Sequence, residues 1–104
     1  MLHTFKAYQL AKKHYALCKK LELPDYLRDQ LHRASSSVAL NLAEGSGKRT
    51  KNERRRYYSI ALGSLRECRA ILEIEEVNDV DLLKLHDELS AIVYVLATRL
   101  PSSN

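Results

Sequence analysis

Apolar side chains recur every three or four positions along almost the whole chain, the spacing that gathers them on one face of an α-helix. The recurrence breaks at three places: Leu23-Pro24-Asp25, Glu44-Gly45-Ser46-Gly47 and Asn78-Asp79. Pro24 cannot continue a helix but suits the first turn of the next. The breaks leave four helices, expected at about residues 4–22, 25–44, 51–77 and 80–99 of one domain spanning 1–104. Short connections make consecutive helices antiparallel neighbours, so the expected fold is all-α, an antiparallel up-down four-helix bundle.

In the first helix, Thr4 is the expected N-cap. Phe5, Tyr8, Ala11, Tyr15, Cys18 and Glu22 form one stripe, and Leu10, His14, Leu17 and Leu21 a second beside it. Leu27, Leu31, Ala34, Val38 and Leu42 line the second helix, with Leu40 to one side. Thr50 and Glu53 have the spacing of a capping box for the third helix. Its stripes are Tyr58, Ala61, Leu65, Cys68 and Leu72, then Tyr57, Ile60, Ser64, Ile71 and Ile74. Leu82, Leu85, Leu89, Ile92 and Leu96 line the fourth, flanked by Leu83, Val93 and Leu100. The tail from Pro101 is expected to fray.

Small and polar residues interrupt the middle helices. Ser35, Ser36 and Ser37 are poor helix formers that bond to nearby backbone carbonyls. Gly63 implies a close approach by a neighbouring helix, and Gly45 or Gly47 a left-handed C-cap. A turn centred near residue 48 pairs residues whose numbers sum to roughly 97. Ala34 then falls beside Gly63, Arg33 or Gln30 beside Ser64 and Glu67, and Asn41 beside Arg56. With Ser37 and Glu44 these make an expected structural polar seam: Gln30, Arg33, Ser37, Asn41, Glu44, Arg56, Ser64 and Glu67. A buried seam must be hydrogen-bonded throughout.

Composition adds the limits. The chain has 104 residues, 45% hydrophobic and 29% charged, ordinary for a soluble domain with one core. No apolar run reaches the roughly 20 residues of a membrane span, and the N-terminus lacks the apolar stretch of a signal peptide. Cys18 and Cys68 stand alone, as reduced thiols of a cytoplasmic protein do. Gly45-Ser46-Gly47-Lys48-Arg49-Thr50 is not a phosphate loop, because Leu42 stands where that motif needs its first glycine and a helix precedes it. Asp29-x-x-His32 is one copy of a spacing a metal bundle needs twice, and the other histidines are scattered. No serine or cysteine has the context of a nucleophile. We expect no catalytic residues, no metal and no cofactor.

Charge changes the picture more. The net charge is +4, yet residues 1–52 carry ten Lys/Arg against four Asp/Glu, and residues 53–104 seven against nine. Lys48, Arg49, Lys51, Arg54, Arg55 and Arg56 crowd one turn, and Arg55, Arg66 and Arg69 follow one helical face. The candidate nucleic-acid contacts are Lys48, Arg49, Lys51, Arg54, Arg55, Arg66 and Arg69, since phosphate binding needs only cations on a rigid element. Tyr57 and Tyr58 have the chemistry to stack on bases, although tyrosines at helical spacing more often belong to a core. The competing role for the arginines is pairing with the acidic 73–88 segment of another copy. Such polarity suits an anionic partner or head-to-tail self-association.

The stretch from Gln30 to Glu67 closely resembles the four helix bundle protein family, also called 23S rRNA-intervening sequence proteins. The family's centre reads approximately Q-x-R-R-A-x-x-S-x-x-x-N-I-A-E-G-x-G-R, then R-F/Y-x-x-I-A-x-G-S-x-x-E. Gln30, Arg33, Ala34, Ser37, Asn41, Leu42, Ala43, Glu44, Gly45, Gly47 and Lys48 fall on the first string. Arg56, Tyr57, Ile60, Ala61, Gly63, Ser64 and Glu67 fall on the second. Lys48 replaces the usual arginine, which keeps charge but loses a bidentate fork, and His32 stands where a second arginine is common. The resemblance implies a bundle that assembles as a ring, usually a homopentamer. It also implies a relation to the accessory variability protein of diversity-generating retroelements, a basic barrel that binds nucleic acid and a reverse transcriptase. The expected protein is therefore non-enzymatic, cytoplasmic and self-associating, with RNA or DNA as partner. The alternative is an oligomeric adaptor for a protein such as a reverse transcriptase.

Overall fold

The computed structural model describes the backbone of residues 2–99 and the side chains of residues 5–99. Leu2–Lys19 (α1), Asp25–Ser46 (α2), Lys51–Ile74 (α3) and Val80–Thr98 (α4) are its helices. Each packs on its neighbours in sequence and α4 closes against α1, while the diagonal pairs stay apart. The result is the expected up-down four-helix bundle, 45 × 23 × 19 Å. The 101–104 tail and Leu100 lie outside the described residues.

The core has two apolar clusters. One joins Ala7, Ala11, Val38, Leu42, Tyr58, Ala61, Leu65, Leu89, Val93 and Leu96, toward the α2–α3 connection. The other joins Cys18, Leu27, Leu31, Ala34, Cys68, Ile71, Leu72 and Leu82, toward the opposite end. Between them in every helix that supplies one lie the buried polar residues, His14, Ser35 and His86.

The expected stripe of α2 and the first stripe of α3 match the core; in α4 Leu82, Leu89 and Leu96 are buried as expected, but His86 and Val93 complete the inward line while Leu85 and Ile92 are only half-buried. In α1 the inward line is Ala7, Ala11, His14 and Cys18, whereas Phe5 and Glu22 are exposed. Small alanines face the core, and Tyr8 and Tyr15 flank it beneath Lys12 and Lys19, whose ammonium groups lie 5.2 and 4.7 Å from the ring centres. Ile60 and Ile74 of the second α3 stripe are also exposed.

The helix ends differ from expectation for local reasons. The α1 helix already includes Leu2, so Thr4 is inside it and not its N-cap. It ends at Lys19, where Lys20 N–H bonds to Leu17 O and Leu21 N–H to Cys18 O, a tightening last turn. The α2 helix runs through Gly45 to Ser46, and Gly47 caps it with φ −88, so neither glycine is left-handed. Gly45 is required instead by packing: a Cβ there would lie 2.7 Å from Tyr58 Cε1 and 3.0 Å from Tyr57 Cβ. Gly63, expected at a close contact, would meet nothing within 4 Å. The α3 helix stops three residues before Val77 in a Schellman motif. Val77 N–H bonds to Leu72 O, Glu76 N–H to Glu73 O, and Glu76 takes φ 51.

Candidate nucleic-acid interface

The capping box at the start of α3 is formed: Glu53 N–H donates to Thr50 Oγ1 at 3.1 Å, and Thr50 N–H to Glu53 Oε1 at 3.4 Å. It sets the direction of a helix that begins beyond the end of its neighbour. Ser37 lies nine residues before the end of α2, yet its partner Ser64 lies thirteen residues after the start of α3. At 1.5 Å per residue, α3 overhangs α2 by about 6 Å. Facing residues accordingly sum to 101, not 97, a shift of one helical turn.

Six cations surround this overhang, Lys48, Arg49, Lys51, Arg54, Arg55 and Arg56, against the two carboxylates Glu44 and Glu53. Their situations differ. Lys48 Nζ pairs with Glu44 Oε2 at 3.0 Å and sits 5.2 Å from the Tyr57 ring centre. The bond to Glu44, and then the nearby Tyr57 and the Glu44 charge, hold its pKa above the usual lysine value. Arg49 is exposed and forms no ion pair among the described residues. Lys51 is pushed down, first by desolvation and then by the charges of Arg55 and Arg54. Arg54 is structural: its Nη1 donates to Lys48 O at 3.1 Å and Arg49 O at 3.0 Å, closing the connection. Arg55 is half-buried, and Arg56 is exposed with its guanidinium 5.8 Å from the Tyr57 ring.

The arginine face farther along α3 is less available than its spacing suggests. Arg69 bonds Glu73 Oε2 at 3.1 Å and Asp87 Oδ1 at 2.8 Å, so its charge is answered within the chain. Arg66 is exposed beside it, on a shallow groove of about 420 Å³ between α3 and α4 that also includes Leu62, Ser90 and Tyr94. Tyr58 is fully buried and has no face to offer a base.

The polar seam is smaller than expected and lies on a surface groove. Ser64 Oγ donates to Ser37 Oγ at 2.8 Å, and Asn41 Nδ2 donates to Ser37 O at 2.8 Å and Ser37 Oγ at 3.0 Å. Ser35 and Ser36 bond back to the carbonyls of Leu31 and Arg33, as serines within a helix do. Gln30, Arg33, Glu44, Arg56 and Glu67 are exposed and are not bonded into that seam. The one-turn offset separates Asn41 from Arg56. Ser37, Asn41, Ser64, Arg33 and Glu67 line an open groove of about 370 Å³ on the outer face of α2 and α3, beside Leu40, which is 67% exposed.

Two of the four histidines, His14 and His86, are not scattered but meet in the core. His14 Nε2 lies 2.9 Å from His86 Nδ1, and His14 Nδ1 lies 3.9 Å from Cys18 Sγ. Burial and the adjacent His86 lower His14 to about 4, and burial and Arg69 lower His86. Burial raises the Cys18 thiol to about 12 and the Cys68 thiol also upward, so both stay protonated. The signal was present in sequence: His14 follows Leu10 by four, and His86 sits between Leu82 and Leu89 at core spacing. Among the described residues no group of three or more His, Cys, Asp or Glu side chains is placed to hold a metal ion. No described helix is long and apolar enough to cross a membrane.

No curated protein and no solved structure matches the chain. One family model does, over residues 4–101, and it takes in all four helices together with the Gln30–Glu67 motif. The chain belongs to the 23S rRNA-intervening sequence protein family.

Proposed function

We propose that this is a non-enzymatic, ring-forming bundle that binds the phosphate backbone of RNA or DNA with the end formed by the α2–α3 connection. The observation that carries the reading is six cations against two carboxylates on a connection that overhangs the bundle. Cations held this close repel one another, and a polyanion relieves that repulsion; at Lys51 the charges of Arg55 and Arg54 add to desolvation, the larger cause of its lowered pKa. The start of α3 adds the positive end of a helix dipole.

The exposed α2–α3 groove is the lateral contact of the ring. Leu40 is 67% exposed in it, and on α3 Ile60 is 43% exposed and a Cβ at Gly63 would meet nothing within 4 Å, room for a close approach from outside the chain. Cyclic symmetry points every copy the same way and repeats the basic end around one rim. The interior supports the absence of catalysis: His14 and His86 face each other, and the thiols are buried and protonated. Buried free thiols suit a cytoplasmic protein.

Fluorescence anisotropy with labelled RNA and DNA, from about 50 to 200 mM salt, tests the reading. We expect a steep negative dependence on salt. Arg49→Glu with Lys51→Glu should flatten the slope of log K against log salt by roughly 1.5–2, the value of two lost phosphate contacts. Arg54 is left intact because it closes the connection. Absence of binding at low salt, or a slope unmoved by both reversals, refutes the interface. The groove between α3 and α4, with Arg66 and Tyr94 exposed beside apolar Leu62, favours the second reading, an adaptor for a protein partner.

A further inference from the structure

The charge separation that the sequence divides between its halves becomes, in the folded bundle, a separation between its two ends. The α2–α3 connection carries the six cations already described. The opposite end is built from the α1–α2 and α3–α4 connections. Residues 19–29 and 73–84 there carry eight carboxylates against four cations. This acidic end also exposes large apolar side chains: Tyr26 is 70%, Ile74 66% and Val80 74% exposed. Tyr26 stands at the start of α2, and Ile74 and Val80 bracket the α3–α4 connection. The basic end has apolar exposure of its own, with Phe5 at 61% near the start of α1 and Val95 at 46% in the last turn of α4.

We propose that copies of this chain associate end to end, the acidic end of one docking on the basic α2–α3 end of the next. Opposite charge gives the contact its polarity, because like ends repel. The exposed apolar side chains at both ends give it contact area. The cross-section of the bundle, 23 × 19 Å, limits one such contact to about 400 Å² per copy. That is roughly half of what a stable interface buries on each side. A single contact is therefore weak, and it becomes effective when ring assembly presents several ends on one rim at once. Rings of the proposed kind would stack rim to rim. The acidic rim then occupies the surface assigned above to nucleic acid, so stacking and nucleic-acid binding compete. Strengthening by the ring rests on the proposed function; the end-to-end contact itself rests on the charges and apolar side chains of the two ends.

Sedimentation of the full-length protein at fixed concentration, from about 50 to 500 mM salt, tests the contact. The high-salt mass reads lateral assembly alone, and the low-salt increment reads stacking. We expect the low-salt mass to be about twofold or more above the high-salt mass. Glu22→Lys with Glu75→Lys should abolish the increment while leaving the high-salt mass unchanged. Glu76 and Asp79 are avoided because they end α3 and cap α4. Arg49→Glu with Lys51→Glu should also abolish the increment. A mixture of the two double variants, one neutralised at its acidic end and the other at its basic end, should restore pairing, because the intact basic end of the first meets the intact acidic end of the second. An increment that is absent in the wild type, that survives either reversal, or that the mixture fails to restore overturns the proposal. A monomeric mass at high salt would instead refute the ring and leave the restoration by mixing as the test of end-to-end contact.

Discussion

The buried histidine pair should make this bundle lose stability in mild acid. His14 is wholly buried, His86 is 3% exposed, and their rings share a 2.9 Å contact in which one nitrogen donates and the other accepts. A second proton would remove the acceptor and place a further charge in the interior. The facing charges do not compensate: Arg69 opposes protonation of His86, and Asp87, which favours it, is already bonded to Arg69. With His14 held at about 4 in the fold and near 6.5 when unfolded, the unfolded chain binds more protons throughout that interval. Stability is therefore full above about pH 6.5, falls as pH drops toward 4, and levels off below it. From His14 alone the loss by pH 4.5 is about 2.5 kcal/mol, and His86 acts in the same direction. That is a large share of the roughly 5–15 kcal/mol that holds a typical domain together. Urea unfolding followed by circular dichroism at pH 7.5, 6.0, 5.0 and 4.5, at one protein concentration, measures it. His14→Leu with His86→Leu removes the titrating pair, so its midpoint should fall less between pH 7.5 and 4.5 than the wild type's. A wild-type stability flat to within about 0.5 kcal/mol across that range, or an identical fall in the double variant, refutes the argument.

Two glycines and one turn residue give further tests. Gly45→Ala forces a methyl against the Tyr58 ring and should cost about 1–3 kcal/mol, read as a lower Tm. Gly63→Ala meets open space and should raise the stability of the isolated chain by about 0.5–1 kcal/mol through helix propensity, read in the same melt. Glu76→Gly relieves a left-handed residue at the end of α3 and should raise Tm, by up to about 1 kcal/mol of stability; a lower Tm would show that the Glu76 side chain contributes something the backbone does not.

The chain order of apolar residues carried the architecture. Leu27, Leu31, Ala34, Val38 and Leu42 are all buried as their spacing implies, and the Thr50–Glu53 box forms where the sequence places it, because the shared face and the cap both follow from spacing within one helix. The close contact expected at Gly63 is found at Gly45 instead, for a different reason. Local pattern marks a glycine but not the neighbour that needs it, and the neighbour is decided by how far two helices slide past each other. The same slide, one turn, dissolved the expected pairing of Asn41 with Arg56 and joined Ser37 to Ser64.

The basic cluster was legible because its charges are adjacent in sequence. Which of them are available was not: Arg54 turned inward to close the connection, and Arg69 found Glu73 four residues on and Asp87 on another helix. His14 and His86 are 72 residues apart, and only packing α4 against α1 brings them into contact. By itself the sequence determined the helices, their order and the family, since these follow from periodicity, breaks and a local motif. The tertiary structure alone decided register, which cations stay exposed, and the gathering of opposite charges at opposite ends, because each depends on distances between segments that the chain order leaves open.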